Sequence, residues 1–141
     1  MKVVMKSGLR RGFTLIELTV VILIIGIVAT IAAPRFFQSV DKTKESSAKQ
    51  TIEVVRNAIE LFKNNTTTYA YPGQAGDQVA MKAELKSYLR KEFPALQLGK
   101  LNADIKFSTA DPVVFTADPE AWIYNKATGE IRINHADYIT Y

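Results

Sequence analysis

The dominant feature of the hydropathy pattern is an apolar run at residues 13–33. It is 21 residues long and carries one charge, Glu17. A helix of this length spans about 31 Å, close to the roughly 30 Å of a bilayer core. The apolar residues lie all round such a helix rather than along one stripe, which is typical of a helix in lipid or inside a large assembly. The pattern therefore predicts a membrane-spanning helix that could also form the core of an assembly.

Beyond Pro34 the apolar residues recur every three or four positions, which predicts that the helix continues to Asn64 with an amphipathic face. We expect residues 48–62 to cover a small domain and the more polar residues 35–47 to stand clear of it. A helix over residues 13–64 would be about 78 Å long, more than a compact domain of this size can contain. The stripe comprises Phe37, Val40, Lys44, Ala48, Ile52, Val55, Ile59 and Phe62, and is widened by Val54, Ala58 and Leu61.

In the C-terminal half, the hydrophobic pattern predicts a second helix followed by strands. Residues 69–77 are rich in Pro and Gly and predict a loop, and residues 79–93 predict a helix that Pro94 stops. Its apolar positions are Val79, Ala83, Leu85, Leu89 and Phe93. The period then changes to two at residues 103–107, 113–115 and 122–134, where Gly129 suits the turn of a hairpin. We read the two TADP segments at residues 109–112 and 116–119 as turns.

These elements predict an α+β fold, in which a long N-terminal helix packs on a small antiparallel sheet of three or four strands with a second short helix. The domain organisation follows from the same boundaries. Residues 1–12 form a basic leader, residues 13–34 the apolar helix, residues 35–64 its amphipathic continuation, and residues 65–141 a globular α+β head.

Glu17 is the one charge in the apolar run, and two interpretations are open. An acidic residue at the centre of a membrane helix costs about 2.5–3.5 kcal/mol, so it usually marks a functional contact. Glu17 is only four residues from Phe13 and could reach the headgroups. Alternatively, it meets a cation, and cleavage between Gly12 and Phe13 would create one at the new α-amine. That amine would belong to a neighbouring copy shifted along the helix axis.

The basic leader, Gly12, and the following FTLIELTVVILIIGIVATIAAP resemble the class III signal of type IV prepilins and of the pseudopilins of type II secretion. The similarity covers about residues 10–34 and the helix that follows, and it includes the Gly12–Phe13 junction, Glu17 and Pro34. The hairpin at residues 122–134 is also similar to the C-terminal hairpin of some pseudopilin-like proteins.

The resemblance implies a pilin-like fold and a sequence of processing, membrane insertion and assembly. A prepilin peptidase and N-methyltransferase would cut after Gly12 on the cytoplasmic side and methylate Phe13. The helix, bent or locally melted at Pro34, would sit once in the inner membrane with the C-terminal domain periplasmic or extracellular. The chain would then join copies of itself and other pilins or pseudopilins in a filament, with Glu17 an assembly residue. A motor and an inner-membrane assembly platform are implied as partners, and an intact Glu17 favours a regular subunit over a tip subunit.

Charge and cysteine content exclude several other classes. The net charge of +4 arises from Lys2, Lys6, Arg10 and Arg11, and removing these four leaves 14 basic and 14 acidic side chains. The mature chain therefore gives no case for nucleic-acid binding, while the leader charges favour a cytoplasmic N-terminus. The chain has no cysteine, which excludes disulfides and thiolate sites and favours pseudopilins over disulfide-bonded pilins.

No residue pattern predicts catalysis, and no cofactor is expected. His135 is the only histidine and reads as a surface or packing residue, as do Tyr138 and Tyr141. No serine lies in a Gly-x-Ser-x-Gly setting. Major pseudopilins carry a calcium site in C-terminal loops, and the candidate ligands here are Asp104, Asp111, Asp118 and Asp137. Their spacing matches no loop motif, so solvated turn aspartates are the alternative.

Other functions compete with a filament subunit. The chain could be a singly anchored, exported ligand-binding or sensor domain, or less simply an exported enzyme. The apolar run could also be a secretory signal cut near Ala32 and Ala33, although it exceeds the usual length and Pro34 makes a poor start for a mature chain. Pilus, secretion pseudopilus and DNA-uptake filament are not separated by the sequence.

Overall fold

The computed structural model describes residues 12–141, so the predictions for the leader lie outside the described residues except at Gly12. The described part is α+β, as predicted. Its elements are α1 (Leu15–Asn65), α2 (Gln78–Leu85), β1 (Ile105–Phe107), β2 (Trp122–Tyr124) and β3 (Ile131–Ile133). The chain divides into two compact units between Val40 and Asp41, and each is described by itself.

The N-terminal unit is the first half of α1. Residues 12–39 are all exposed, and Val40 is half-buried. Among the described residues, α1 is the one helix long and apolar enough to cross a membrane, and none of that stretch is buried against the chain. The helix continues through Pro34, although proline has no N–H to donate to the carbonyl of Thr30.

The second unit, which we call the head, packs around residues 48–59 of α1. The amphipathic stripe is confirmed over residues 48–59, because Ala48, Ile52, Val55, Ala58 and Ile59 are all buried. Its earlier members Phe37 and Lys44 are exposed. Two of the residues predicted to widen the stripe are not part of the core. Val54 is 55% exposed and Leu61 is 51% exposed. The rest of the core comes from α2, the sheet and the loop before β1, including Met81, Leu85, Leu96, Trp122, Tyr124, Ile131 and Ile133.

The sheet has three strands in the order β1-β2-β3, and it is mixed rather than antiparallel. Strands β2 and β3 pair antiparallel, with Trp122 opposite Ile133, but β1 pairs parallel to β2, with Ile105 opposite Trp122. The antiparallel prediction is therefore wrong for β1. Parallel strands need a long crossover connection, and the segment between Phe107 and Trp122 provides one.

Residues 113–115 form no strand, contrary to the prediction. Side chains of the β2–β3 hairpin bind this segment instead of a neighbouring strand. The N–H of Val113 donates to Oε2 of Glu130 at 2.8 Å, and the N–H of Thr116 donates to Oδ1 of Asn134 at 2.9 Å. Backbone donors that side chains already satisfy are not available to a ladder.

The β2–β3 hairpin is confirmed. Its loop closes through the N–H of Gly129, which donates to the carbonyl of Asn125 at 2.8 Å. Gly129 has a φ of 77°, and a Cβ there would overlap the ring of Tyr71. Glycine is required at this position on both grounds.

Helix α2 begins where expected but ends eight residues early, so the prediction that it reaches Phe93 is wrong. Asp77 caps it by accepting from the N–H groups of Val79 and Ala80. Beyond Leu85 the chain leaves the helix and packs against the sheet. The ring of Phe93 packs edge-on against Trp122 at 5.6 Å, and Nε1 of Trp122 donates to the carbonyl of Pro94 at 3.1 Å. The residue before a proline also disfavours the helical conformation.

Candidate assembly site on the N-terminal helix

The Gly12–Phe13 junction lies in the open immediately before α1. The side chain of Phe13 is 89% exposed. A Cβ added to Gly12 would have nothing within 4 Å. No packing within the described residues therefore requires glycine at position 12.

Glu17 forms a capping box with Thr14 at the start of α1. Oε2 of Glu17 accepts from the N–H of Thr14 at 2.8 Å and from its hydroxyl at 2.7 Å. The N–H of Glu17 donates back to Oγ1 of Thr14 at 3.3 Å. This reciprocal pairing satisfies donors that the first helical turn leaves without partners, and it fixes the carboxylate against the helix end.

The second oxygen of Glu17 remains available. Within residues 12–141, Oε1 of Glu17 accepts no hydrogen bond, because both contacts from Thr14 go to Oε2. The apolar part of the Glu17 side chain borders an exposed apolar groove that Phe13, Ile16, Val20 and Val21 also line. An exposed carboxylate with one open oxygen can accept a charge-assisted hydrogen bond from a cation that approaches this end of the helix.

A second groove follows on the same helix. It is lined by Thr19, Ile22, Leu23, Gly26, Ile27 and Thr30. The two threonine hydroxyls are turned back onto the helix, donating to the carbonyls of Ile16 and Ile27 at 2.9 and 2.7 Å. Nothing lies within 4 Å of a Cβ built at Gly26. Small residues and satisfied hydroxyls allow another helix to approach closely.

The four candidate calcium ligands are not gathered into a metal site. Asp104 pairs with Lys82 at 3.5 Å, and Asp118 pairs with Lys106 at 3.2 Å. The hydrogen bond from Lys106 also lowers the pKa of Asp118. Across residues 12–141, no three Asp, Glu, His or Cys side chains are grouped as a metal ion would need.

His135 and the two C-terminal tyrosines form a stacked row in the head. The rings of His135 and Tyr138 are 4.9 Å apart, and those of Tyr138 and Tyr141 are 5.8 Å apart. Oδ2 of Asp137 lies 3.8 Å from Nδ1 of His135. These residues pack, as expected from the sequence.

The row is held on α1 by contacts that the sequence analysis missed. The hydroxyl of Tyr141 donates to Oε1 of Glu45 at 2.6 Å, and Arg56 donates to the carbonyl of Tyr141 at 2.8 Å. The Tyr141 hydroxyl and then Lys49 lower the pKa of Glu45, and Glu45 in turn raises the pKa of Tyr141. No short motif signals these contacts, because 96 positions separate Glu45 from Tyr141. The capping box, by contrast, was readable from the T-x-x-E spacing of Thr14 and Glu17.

Comparison with known protein families gives a match at the N-terminal end of the chain. A family described as "Prokaryotic N-terminal methylation motif" matches residues 9–33. The chain is 42% identical over 60 residues to the type IV major pilin protein PilA of Myxococcus xanthus, covering 43% of this chain and 27% of that protein. It is 34% identical over 79 residues to the type II secretion system core protein G of Pseudomonas aeruginosa, covering 55% and 54% respectively.

A third relative is the type IV narrow pilus major component PilA5 of Thermus thermophilus. The two chains are 48% identical over 51 residues, which is 36% of this chain and 44% of that protein. The chain thus spans about half, or less, of the length of the curated relatives it matches. All three are named as pilus or secretion components rather than as enzymes. No solved structure matches the chain.

Proposed function

We propose that the protein is a structural subunit of a type IV pilus-like or type II secretion pseudopilus filament. The match of residues 9–33 to the prokaryotic N-terminal methylation motif and the similarity to named pilus and secretion proteins support this proposal. One observation carries the proposal. The first half of α1 exposes apolar side chains in every direction and buries none of them against its own chain. Such a surface is stable only in lipid or among other apolar helices, and a filament subunit occupies both environments in turn.

Processing would come first. A prepilin peptidase cuts after Gly12 on the cytoplasmic side of the inner membrane, and the new N-terminal Phe13 is N-methylated. The exposed junction and the absence of any packing reason for Gly12 support this step. The basic leader keeps the N-terminus in the cytoplasm, so the head lies on the outer side as a periplasmic or extracellular domain.

Assembly would then exchange lipid for neighbouring helices. The open Oε1 of Glu17 accepts from the α-amine of Phe13 in a neighbouring copy, while Thr14 holds Oε2 in place. The groove at Gly26 allows close helix packing. Pro34, which breaks one backbone hydrogen bond of α1, is where the helix would bend. The role is structural rather than catalytic, with the assembly platform and other pilins or pseudopilins as partners.

The experiment measures intact mass and filament incorporation in native membranes. The wild type is expected to begin at an N-methylated Phe13, and Gly12→Ala is expected to retain the leader, because a methyl group at the junction obstructs the peptidase. A wild-type chain that keeps residues 1–12, or one that begins near Pro34, would overturn the proposal. It would leave an anchored or secreted binding domain in its place.

A pair of variants separates the charge of Glu17 from its capping role. Glu17→Gln keeps a side chain that can cap but removes the charge, whereas Thr14→Ala keeps the charge and removes the capping hydroxyl. We expect Glu17→Gln to be processed but absent from filaments, and Thr14→Ala to enter them. The reverse result would show that Glu17 serves helix initiation and not the pairing with a neighbouring amine.

A further inference from the structure

The outer face of α1 in the head contains a hole of the kind that receives a side chain from a second helix. Ser47, Gln50, Thr51 and Val54 line a groove of about 280 Å³ together with Pro94. The four helical residues follow the spacing i, i+3, i+4, i+7. Four residues of a facing helix form the hole in knobs-into-holes packing, so the groove has the shape that helix–helix packing requires. We call these five residues the helix hole.

The chemistry of the helix hole suits an apolar occupant. The hydroxyl of Thr51 is already used, since it donates to the carbonyl of Ser47 at 2.8 Å. Val54 is 55% exposed, although the nearby Ile52 and Val55 are buried in the core. Within the described residues, the groove thus has two apolar lining residues, the exposed Val54 and Pro94.

The chain also carries a large apolar side chain that nothing in its own unit covers. Phe36 and Phe37 are each 66% exposed, and their rings meet only each other, edge to face at 6.1 Å. Both residues lie on α1 just past the apolar run. A phenylalanine ring has no hydrogen-bonding group, so water offers these exposed side chains no favourable contact. A phenylalanine on a helix is a suitable knob for a hole on another helix.

Charge complementarity selects Phe37 rather than Phe36. Asp41 lies one helical turn after Phe37 and makes no hydrogen bond or ion pair with residues 12–141. Arg90 and Lys91 shortly precede Pro94, are exposed, and likewise have no such partner within the described chain. Glu92, which lies between these two residues and Pro94, is paired with Lys86 at 3.1 Å. A second helix that inserts Phe37 into the helix hole would thus place its Asp41 near two basic side chains that lie three and four residues before Pro94.

We infer that Phe37 of a second copy of this chain inserts into the helix hole of the first, with its Asp41 beside Arg90 and Lys91. The inference rests on the proposed function, because it supplies a contact between copies in the filament. Knob and hole are different residues, and each copy has both. Such a heterologous contact leaves a free knob at one end and a free hole at the other, so it propagates into an open assembly.

The absence of cysteine from the chain allows a direct test by disulfide crosslinking. Two differently tagged full-length chains are co-expressed, one with Phe37→Cys and the other with Val54→Cys, and filaments are oxidised. We expect a disulfide-linked dimer that contains both tags. The matched control replaces Val54→Cys with Val79→Cys, because Val79 is a helical valine that is 69% exposed but lies outside the helix hole. The control is expected to give no dimer.

The outcomes separate this inference from the proposed function. The inference would be overturned if filaments form with both cysteine pairs but the Phe37→Cys and Val54→Cys chains yield no mixed dimer, or no more dimer than the Val79→Cys control. The filament function would still stand in either case. A processed chain that never forms filaments, even as the wild type, would overturn both.

A second variant tests the hole without relying on disulfide geometry. Thr51→Trp fills the groove from a half-buried position, so the thermal unfolding midpoint of the head is measured alongside filament formation. A chain that keeps the wild-type midpoint should still fail to form filaments. Val79→Trp, the matched surface substitution, should form filaments. Normal filaments from a folded Thr51→Trp chain would overturn the inference.

Discussion

The two halves of α1 use apolar side chains in opposite ways. In residues 12–40, Phe13 is 89% exposed and Ile22 is 60% exposed, and no side chain is buried. In the half of α1 that belongs to the head, Ile52, Val55 and Ile59 are buried in the core. The head is therefore explained by its own contacts, whereas the apolar residues of the N-terminal unit are explained only by lipid or by other copies.

The glycines repeat this contrast. Gly129 is required by its own fold, through a left-handed backbone and the Tyr71 ring above it. Gly26 stands in the middle of a helix with open space around it, although glycine there costs about 1 kcal/mol relative to alanine. A residue that destabilises its own helix without any local packing reason indicates a constraint from outside the chain.

The largest effect is expected when one large apolar side chain is removed from each unit. Trp122→Ala should lower the free energy of unfolding of the head by about 3–5 kcal/mol, because it empties the core and frees the carbonyl of Pro94. Ile22→Ala should leave it unchanged. Urea unfolding of the detergent-solubilised full chain, followed by circular dichroism, measures both. Equal destabilisation by the two variants would contradict the division.

The next test concerns polar residues, comparing Asn134 in the head with Glu17 in the N-terminal unit. Asn134 is fully buried, accepts from the N–H of Thr116 and donates to the carbonyl of Glu120. Asn134→Ala leaves both groups without partners and should cost about 2–3 kcal/mol in urea unfolding. Glu17→Gln should cost the head nothing. A neutral Asn134→Ala would mean that water replaces the amide and that the crossover segment is not fixed by it.

Alanine at the two contrasting glycines should act in opposite directions. Gly129→Ala strains a left-handed residue and should destabilise the head by about 1–3 kcal/mol in the same unfolding assay. Gly26→Ala should not destabilise the chain, since alanine favours the helix, but it should reduce filament yield because a methyl group fills the groove. Undiminished filaments from Gly26→Ala would remove the groove from the assembly interface.

The fold could be predicted from the sequence wherever the hydrophobic pattern kept one helical or strand period over enough residues. The apolar run, the buried stripe from Ala48 to Ile59 and the hairpin at Gly129 were all visible in that way. Strand direction was not, because alternation with a period of two is the same for parallel and antiparallel partners. The crossover that makes β1 parallel is held by Glu130 and Asn134, and no spacing rule connects these residues to Val113 and Thr116.

The candidate site shows a different limit. Gly12 and Glu17 are anomalous in their local sequence, whereas the processing roles of Gly12 and Phe13 were implied only by the resemblance to prepilins. The capping contribution of Thr14 was not predicted, although the T-x-x-E spacing of Thr14 and Glu17 is typical of a capping box. The helix hole could not be predicted at all, since it depends on Val54 facing outward and on Pro94 lying beside it. The exposed face of an amphipathic helix becomes defined only when the rest of the head is in place.

The smallest expected effect comes from a comparison of Glu17 and Glu45, the two carboxylates of α1 that accept a hydrogen bond from a hydroxyl group. Glu17 keeps one oxygen open for another molecule, whereas Glu45 is bound within its own chain by Tyr141 and Lys49. Because these contacts lower the pKa of Glu45 in the folded state, the unfolded chain binds more protons in acid. Their stabilisation is therefore present above the ordinary pKa of about 4.5 and is lost as the pH falls through the lowered value.

Tyr141→Phe should consequently lower the thermal unfolding midpoint slightly at neutral pH, and this difference from the wild type should shrink once the pH falls below about 4.5. The matched control is Tyr138→Phe, because the hydroxyl of Tyr138 makes no hydrogen bond within residues 12–141 while its ring stacks in the same row. Its difference from the wild type should not change with pH. A Tyr141→Phe difference that stays constant from pH 7 to pH 3 would show that the charge of Glu45 does not hold the C-terminal row.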